Sequence, residues 1–199
     1  MKNLLIATTN KGKVKELTEM LTGYPVKVLS LADVGITTDV EETGETFEEN
    51  AVLKARAYAD LSGLATLADD SGLEVEALGG EPGVRSARYA GVGASDDRKI
   101  AFLLEKLKNV KAGARRARFR SVIAVCWDDD RLDIFEGECH GEIAFEPRGS
   151  NGFGYDPIFL FPELGKTMAE LPPKEKNRRS HRGAAFRKAA TALKRWAGA

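Results

Sequence analysis

Leu64-Ala65-Thr66-Leu67-Ala68-Asp69-Asp70-Ser71-Gly72 decides how this chain folds, because an apolar run of strand length ends there on two adjacent carboxylates. Leu64 to Ala68 reads as a β-strand stopped by a glycine-containing turn, so that Asp69 and Asp70 arrive at a sheet edge. Two neighbouring carboxylates are costly unless something cationic joins them. Hydrated Mg²⁺ suits such a pair where phosphate must also be held, because it takes one or two protein oxygens and leaves its other positions to water and substrate. Taken alone, an Asp-Asp-Ser-Gly segment is more often a solvated turn. The rest of the chain changes that balance.

Working back towards the N-terminus, Asn3 to Thr9 is a compact β-type run, and Val14, Leu17, Met20 and Leu21 after it fall at helical spacing. Val26 to Leu29 is a second candidate strand. Thr46 opens a helix through Tyr58, with Thr46 and Glu49 in a capping-box pattern and Phe47, Ala51, Ala55 and Tyr58 on one face. Strand and helix therefore alternate up to Asp70, the pattern of an α/β fold.

Working forward, Gly79-Gly-Glu-Pro-Gly83 and Tyr89-Ala-Gly-Val-Gly93 bracket a loop with Arg85 and Arg88. Ser95 is placed to cap a helix carrying Ile100, Leu103, Leu104 and Leu107. Arg118 to Trp127 and Arg131 to Glu138 read as an antiparallel hairpin closed near Asp129 and Asp130, with Glu142 to Glu146 a further strand. Gly149 to Pro157 and Pro162 to Pro173 read as loops, and Phe186, Ala189, Ala190, Leu193 and Trp196 mark the apolar face of a final helix.

The chain has 199 residues, enough for one substantial domain or two small lobes sharing a core. Its 30 basic and 30 acidic residues cancel, which excludes a polybasic nucleic-acid binder or a disordered tail protein on net charge. The distribution is informative: no Lys or Arg lies between Lys27 and Lys54, a stretch with seven acids, whereas Lys174 to Arg195 holds nine bases against Glu175 alone. Apolar runs are too short for a signal peptide or a membrane span, so a cytoplasmic location without membrane partners is expected. Cys126 and Cys139 do not face each other across the expected hairpin and read as reduced core thiols.

Four segments carry chemistry. Thr8-Thr9-Asn10-Lys11-Gly12-Lys13, a strand-to-helix turn, gathers hydroxyls, an amide, two ammonium groups and free helix N-terminal amides, the donors a phosphate needs. It lacks the leading glycine and the Ser or Thr after lysine of a Walker P-loop. The acidic Val40-Glu-Glu-Thr-Gly44 offers Glu41 or Glu42 as a further metal ligand beside Asp70, and Lys54 lies within reach of a phosphate. Lys176-Asn-Arg-Arg-Ser-His-Arg182 crowds cations near the start of the last helix, where an anion would be welcome. Gly152-Phe153-Gly154-Tyr155-Asp156-Pro157 combines a tight loop with an aromatic face and an acceptor, a way to hold a purine.

These segments, in this order, resemble the inosine triphosphate pyrophosphatase family, the dITP/XTP pyrophosphatases. The likeness rests on Ile6-Ala-Thr-Thr-Asn-Lys-Gly-Lys-Val-Lys-Glu16, Glu41-Glu-Thr-Gly44, Asn50-Ala-Val-Leu-Lys-Ala55, Ala68-Asp-Asp-Ser-Gly72, Pro82-Gly-Val-Arg-Ser-Ala-Arg-Tyr89, Gly152 to Pro157 and Ser180-His-Arg-Gly183. Thr9 departs from the glycine common in bacterial members. The resemblance implies a single α/β domain over residues 1–199, a mixed twisted sheet in two lobes with a deep central cleft, as a homodimer. It implies Mg²⁺-dependent hydrolysis of ITP, dITP and XTP to monophosphate and pyrophosphate. By that likeness Asp70 is the proton acceptor and a metal ligand, with Glu41 a second ligand. Thr8 to Lys13, Lys54 and Ser71 would hold phosphates, and Phe153, Gly154, Tyr155, Asp156, Lys176, His181 and Arg182 would surround the base. Donors from Lys176, His181 or Arg182 favour a 6-keto purine over adenine, since a mismatched pair leaves buried polar groups unpaired. The competing class is a non-enzymatic binder gripping RNA or DNA through Arg115-Arg-Ala-Arg-Phe-Arg120 and the basic C-terminus, against which charge neutrality and the acidic cluster argue.

Overall fold

The structure, a computed structural model, describes residues 1–198. Strand β1 (Lys2–Ile6) leads through the Thr8 turn into helix α1 (Lys11–Met20), whose first turn is capped by Asn10 accepting from the Lys13 amide at 3.1 Å. Strand β2 (Val26–Ser30) is followed by helix α2 (Phe47–Ser62), where Thr46 and Glu49 form the reciprocal capping box the sequence predicts. Then come strand β3 (Ala65–Val75), helix α3 (Asp96–Lys106, capped by Ser95), and strands β4 (Arg116–Cys126) and β5 (Leu132–Ile143). Short strands β6 (Phe159–Phe161) and β7 (Lys166–Thr167), helix α4 (Pro173–Arg179) and helix α5 (His181–Ala197) complete the chain.

The seven strands form one sheet in the order β2-β1-β3-β4-β5-β6-β7. β1 runs parallel to β2 and β3, whereas β6 runs antiparallel to β5 and β7. The fold is thus mixed α/β, as the alternation near the N-terminus implies.

Two compact units make up the chain. The first comprises Met1–Asp70, Ser121–Gly137 and the segment from Arg182, around a core of Leu4, Ile6, Leu17, Leu67, Ile123, Val125 and Phe186. The second comprises Ser71–Arg120 and Glu138–His181, around Leu73, Val75, Ile100, Leu103, Phe119, Ile143 and Phe159.

Three expectations are corrected. β3 does not stop at Asp69 and Asp70 but continues through Gly72 to Val75, because it is an inner strand and its continuation buries Leu73 and Val75 completely. β5 is one strand across the break expected near Glu138. The expected loop Pro162 to Pro173 contains the short strand β7 and runs into α4, which begins at Pro173, a residue well suited to a first helical turn. The hairpin turn stands as expected, closed by the Trp127 amide donating to the Arg131 carbonyl at 2.9 Å. Cys126 and Cys139 are free and buried, and burial pushes the Cys139 thiol up to about 12. Among the described residues, no helix is long and apolar enough to cross a membrane.

Candidate active site

In the first unit the chain leaves β1 through a turn that organises itself. Thr8 Oγ1 accepts from the Asn10 amide at 3.2 Å, and the Asn10 cap then starts α1. Thr9, Asn10 and Lys11 are exposed there, and Thr8, Gly12 and Lys13 are half-buried. Lys13 Nζ lies 2.8 Å from Asp69 Oδ2 and donates to the Asp69 carbonyl at 3.3 Å. On α2, buried Lys54 donates to the same carbonyl at 3.0 Å, to Asp70 Oδ1 at 3.2 Å and to Glu42 Oε1 at 2.5 Å. One strand peptide therefore gathers two ammonium groups from two helices.

Successive strand residues point to opposite faces, and the two carboxylates meet different surroundings. Asp69 is wholly buried: Ser121 Oγ donates to its Oδ1 at 2.5 Å, and Arg182 Nη2 donates to its Oδ2 at 3.2 Å, beside Lys13. Burial alone would push its carboxyl up, but the charges of Arg182 and Lys13 with these hydrogen bonds hold it well below 3.8. Asp70 goes the other way. Burial raises it above 3.8, aided by the charges of Glu42 and Asp69, against Lys54 and Lys13. Its Oδ2 is buried without a hydrogen-bond partner. A pair of acids driven apart in this manner separates an anion that only anchors from one able to take a proton.

The orphaned Oδ2 tests whether Mg²⁺ fits. A buried carboxylate oxygen without a donor suits a cation, and Glu42 shares the Lys54 ammonium with Asp70. Among the described residues no group of three or more His, Cys, Asp or Glu is arranged to hold a metal. Mg²⁺ itself takes only one or two protein carboxylates and completes its shell with water and phosphate. Glu41, the expected second ligand, is exposed, and its neighbour Glu42 is the acid turned towards Lys54.

The second unit holds the Gly152 to Pro157 loop. Asp156 and Lys176 form a buried ion pair, the Phe153 amide donates to Asp156 Oδ2 at 2.8 Å, and Lys176 Nζ lies 4.7 Å from the Phe153 ring centre. The Gly154 amide donates to Asp96 Oδ2 at 2.7 Å. Tyr155 enters the core with its hydroxyl on the Ser86 carbonyl at 3.0 Å, so it fixes the loop from behind. His181, buried, stacks on Phe119 at 4.6 Å and 13°. Ser71, half-buried, opens this unit directly after Asp70. Arg182 is grouped with His181 in the sequence reading, but its fully buried guanidinium lies in the first unit, on Glu16 at 2.5 Å and on Asp69.

Gly152 is constrained twice. Its φ is +77°, and an added Cβ would overlap the Asp156 carboxylate and approach Lys176 Nζ to 2.9 Å. Gly152→Ala is expected to lower stability by about 1–3 kcal/mol through strain and overpacking. An unchanged denaturant midpoint would show that the ion pair does not sit against this glycine.

Sequence reasoning passes over Glu16, Ser121 and Asp96. Glu16 had a readable signal: Lys13 and Glu16 are three apart on α1 and share a face, so a partner for one lies near the other. Ser121 and Asp96 act across 52 and 58 residues of chain, with no local pattern to mark them.

The chain is similar to curated dITP/XTP pyrophosphatases: 52% identical to that of Geobacter sulfurreducens, over 94% of this chain and 94% of the relative. It is 51% identical to that of Bacillus subtilis, over 94% and 95%. Among solved structures, a HAM1 protein from Coxiella burnetii superposes with a TM-score of 0.86 at 46% identity, covering 97% of this chain and 98% of that one. The nucleoside-triphosphatase / dITP/XTP pyrophosphatase of Mycobacterium abscessus gives 0.72 at 41%, covering 96% and 98%. With the Ham1 family model matched across residues 4–192, which reach into both units, the chain belongs to the Ham1 family.

Proposed function

We propose that this protein hydrolyses non-standard purine nucleoside triphosphates, ITP, dITP and XTP, to the nucleoside monophosphate and pyrophosphate. The observation that carries the reading is the divided pair on β3: Asp69 anchored by cations, Asp70 raised and with one buried oxygen unpartnered. The names of the relatives supply the substrate class. A Mg²⁺ cofactor, a homodimer and a cytoplasmic location belong to the same proposal, supported by the motif resemblance.

Cleavage of the α–β phosphoanhydride needs a positioned water, a base and cations for the departing charge. The water oxygen bonds to the α-phosphorus, its proton passes to Asp70, and the bond from that phosphorus to the bridging oxygen breaks to release pyrophosphate. Lys13 and Lys54, both turned to the Asp69 carbonyl, neutralise charge on the leaving group, with the Thr8 to Lys13 turn donating to phosphate oxygens. When bound, Mg²⁺ would be held by Asp70 with Glu42 or Glu41 and would supply Lewis-acid stabilisation of phosphate charge. Phe153 offers a stacking face, while Lys176 and His181 supply donors that select a 6-keto purine.

The nucleic-acid reading finds arginines of its basic run already engaged. Arg115 is buried with its guanidinium on the carbonyls of Ile143, Leu107 and Ala144 at 2.8, 2.9 and 3.1 Å, and Arg118 pairs with Glu74 at 2.6 Å.

A panel of ITP, dITP, XTP, GTP, ATP and UTP with Mg²⁺ and product identification tests the function. Pyrophosphate should be released from the first three far faster than from ATP or UTP. Orthophosphate as the first product, or equal rates across the panel, would overturn the reading.

A further inference from the structure

We propose that Asn50 and Tyr58 are positioning residues that zip the acidic segment 38–44 onto α2 and so hold Glu42 beside Lys54 and Asp70. The inference deepens the hydrolase reading and rests on it for its catalytic consequence. Segment 38–44 belongs to neither a helix nor a strand, yet it contacts α2 at three regular points. Asn50 makes two bonds with Gly44: its Oδ1 accepts from the Gly44 amide at 2.8 Å and its Nδ2 donates to the Gly44 carbonyl at 3.2 Å. One helical step further, Lys54 holds the Glu42 carboxylate at 2.5 Å. One step beyond that, the Tyr58 hydroxyl accepts from the Val40 amide at 3.2 Å and donates to the Thr38 carbonyl at 3.1 Å.

The spacing has a geometric cause. Asn50, Lys54 and Tyr58 recur every four residues on one helix face, a rise of about 6 Å per step. The segment advances two residues per step in the opposite direction, and two extended residues cover about 6.6 Å. The two periods match, so a run of three contacts closes without strain. Exposure alternates accordingly: Val40, Glu42 and Gly44 are half-buried, whereas Asp39, Glu41 and Thr43 are exposed. Gly44 allows the close approach, since a Cβ there would lie 2.6 Å from Glu49 Cβ and 2.8 Å from Asn50 Oδ1. Asn50 and Tyr58 are themselves buried, so both teeth are rigidly seated.

Tyr58→Phe removes both bonds of the last tooth while keeping the buried ring. Amide hydrogen exchange should accelerate at Val40, and at Gly44 as the segment loosens. In ITP hydrolysis kcat should fall about tenfold and the Mg²⁺ concentration for half-maximal rate should rise, with KM for ITP little changed, as for removal of an outer-shell partner. In a Glu42→Gln background the same substitution should cost nothing more. Ser62→Ala, which removes a bond to the Tyr58 carbonyl at 2.7 Å but leaves the segment alone, should leave kcat unchanged. An unaltered Gly44 exchange rate in Tyr58→Phe, an unaltered kcat, or a full tenfold loss on top of Glu42→Gln would each overturn the proposal. If the wild-type protein proved unable to hydrolyse ITP, the hydrolase reading would fail while the exchange rates still decided whether the zipper exists.

Discussion

Asp70→Asn is expected to abolish pyrophosphate release from ITP, lowering kcat by about 10²–10⁴, the usual contribution of a positioned general base. Binding should survive, because Lys13 and Lys54 keep their bonds to the Asp69 carbonyl, which the substitution does not touch. Calorimetric titration with ITP against the measured turnover separates the two effects, and full turnover in the variant would remove Asp70 from the role of base. The same residue sets a pH dependence. Asp70 acts ionised, and burial places its carboxyl above 3.8, so the acid limb of kcat/KM should lie above that value and vanish in any residual activity of the variant. The sign for stability follows by linkage. A carboxyl whose folded pKa exceeds its unfolded one makes the native state bind protons more tightly, so stability declines as pH rises from 3.8 through the folded value. At neutral pH the ionised Asp70 is therefore a net cost, and Asp70→Asn should be no less stable than the wild type. Function here is retained against a local penalty.

That penalty was only half legible in the sequence. Asp69 and Asp70 stand out as a pair, and the Thr46–Glu49 capping box, the Asn10 turn and the apolar periods of α1, α2 and α5 can be read because each is a local pattern of three to four residues. The different fates of the two acids cannot be read so. They depend on Ser121 from β4 and Arg182 from α5, brought to Asp69 across 52 and 113 residues. The family resemblance places the adjacent His181 and Arg182 beside the base together, but the change of unit falls between them. The adjacent side chains lie in different units, His181 on Phe119 and Arg182 on Glu16 and Asp69. Glu41 and Glu42 are alike in composition, and only the period-two alternation of an extended segment against α2 turns one inward.

Asp69→Asn should act in the opposite sense from the same substitution one residue later. Asp69 is the anion shared by Lys13 and by Arg182, whose guanidinium is fully buried with Glu16 as its other carboxylate partner. Removing one partner of a buried pair typically costs about 3–5 kcal/mol, because the remaining charge stays desolvated without compensation. Ser121 still has an oxygen to donate to, so the loss reports the charge and not that hydrogen bond. The pH signature distinguishes this from general damage. Asp69 is held well below 3.8, so its contribution is fully present above 3.8 and is lost as pH falls through its folded value. The denaturant midpoint of Asp69→Asn should therefore lie far below wild type at neutral pH and converge on it in acid, whereas a pH-independent gap would mean that the carboxylate is not the source. Turnover should fall as well, since Lys13 loses its 2.8 Å partner and with it the position from which it meets a phosphate. Two adjacent aspartates, given the same substitution, then separate into one that destabilises and one that does not, and that opposition is what a strand with differently charged faces requires.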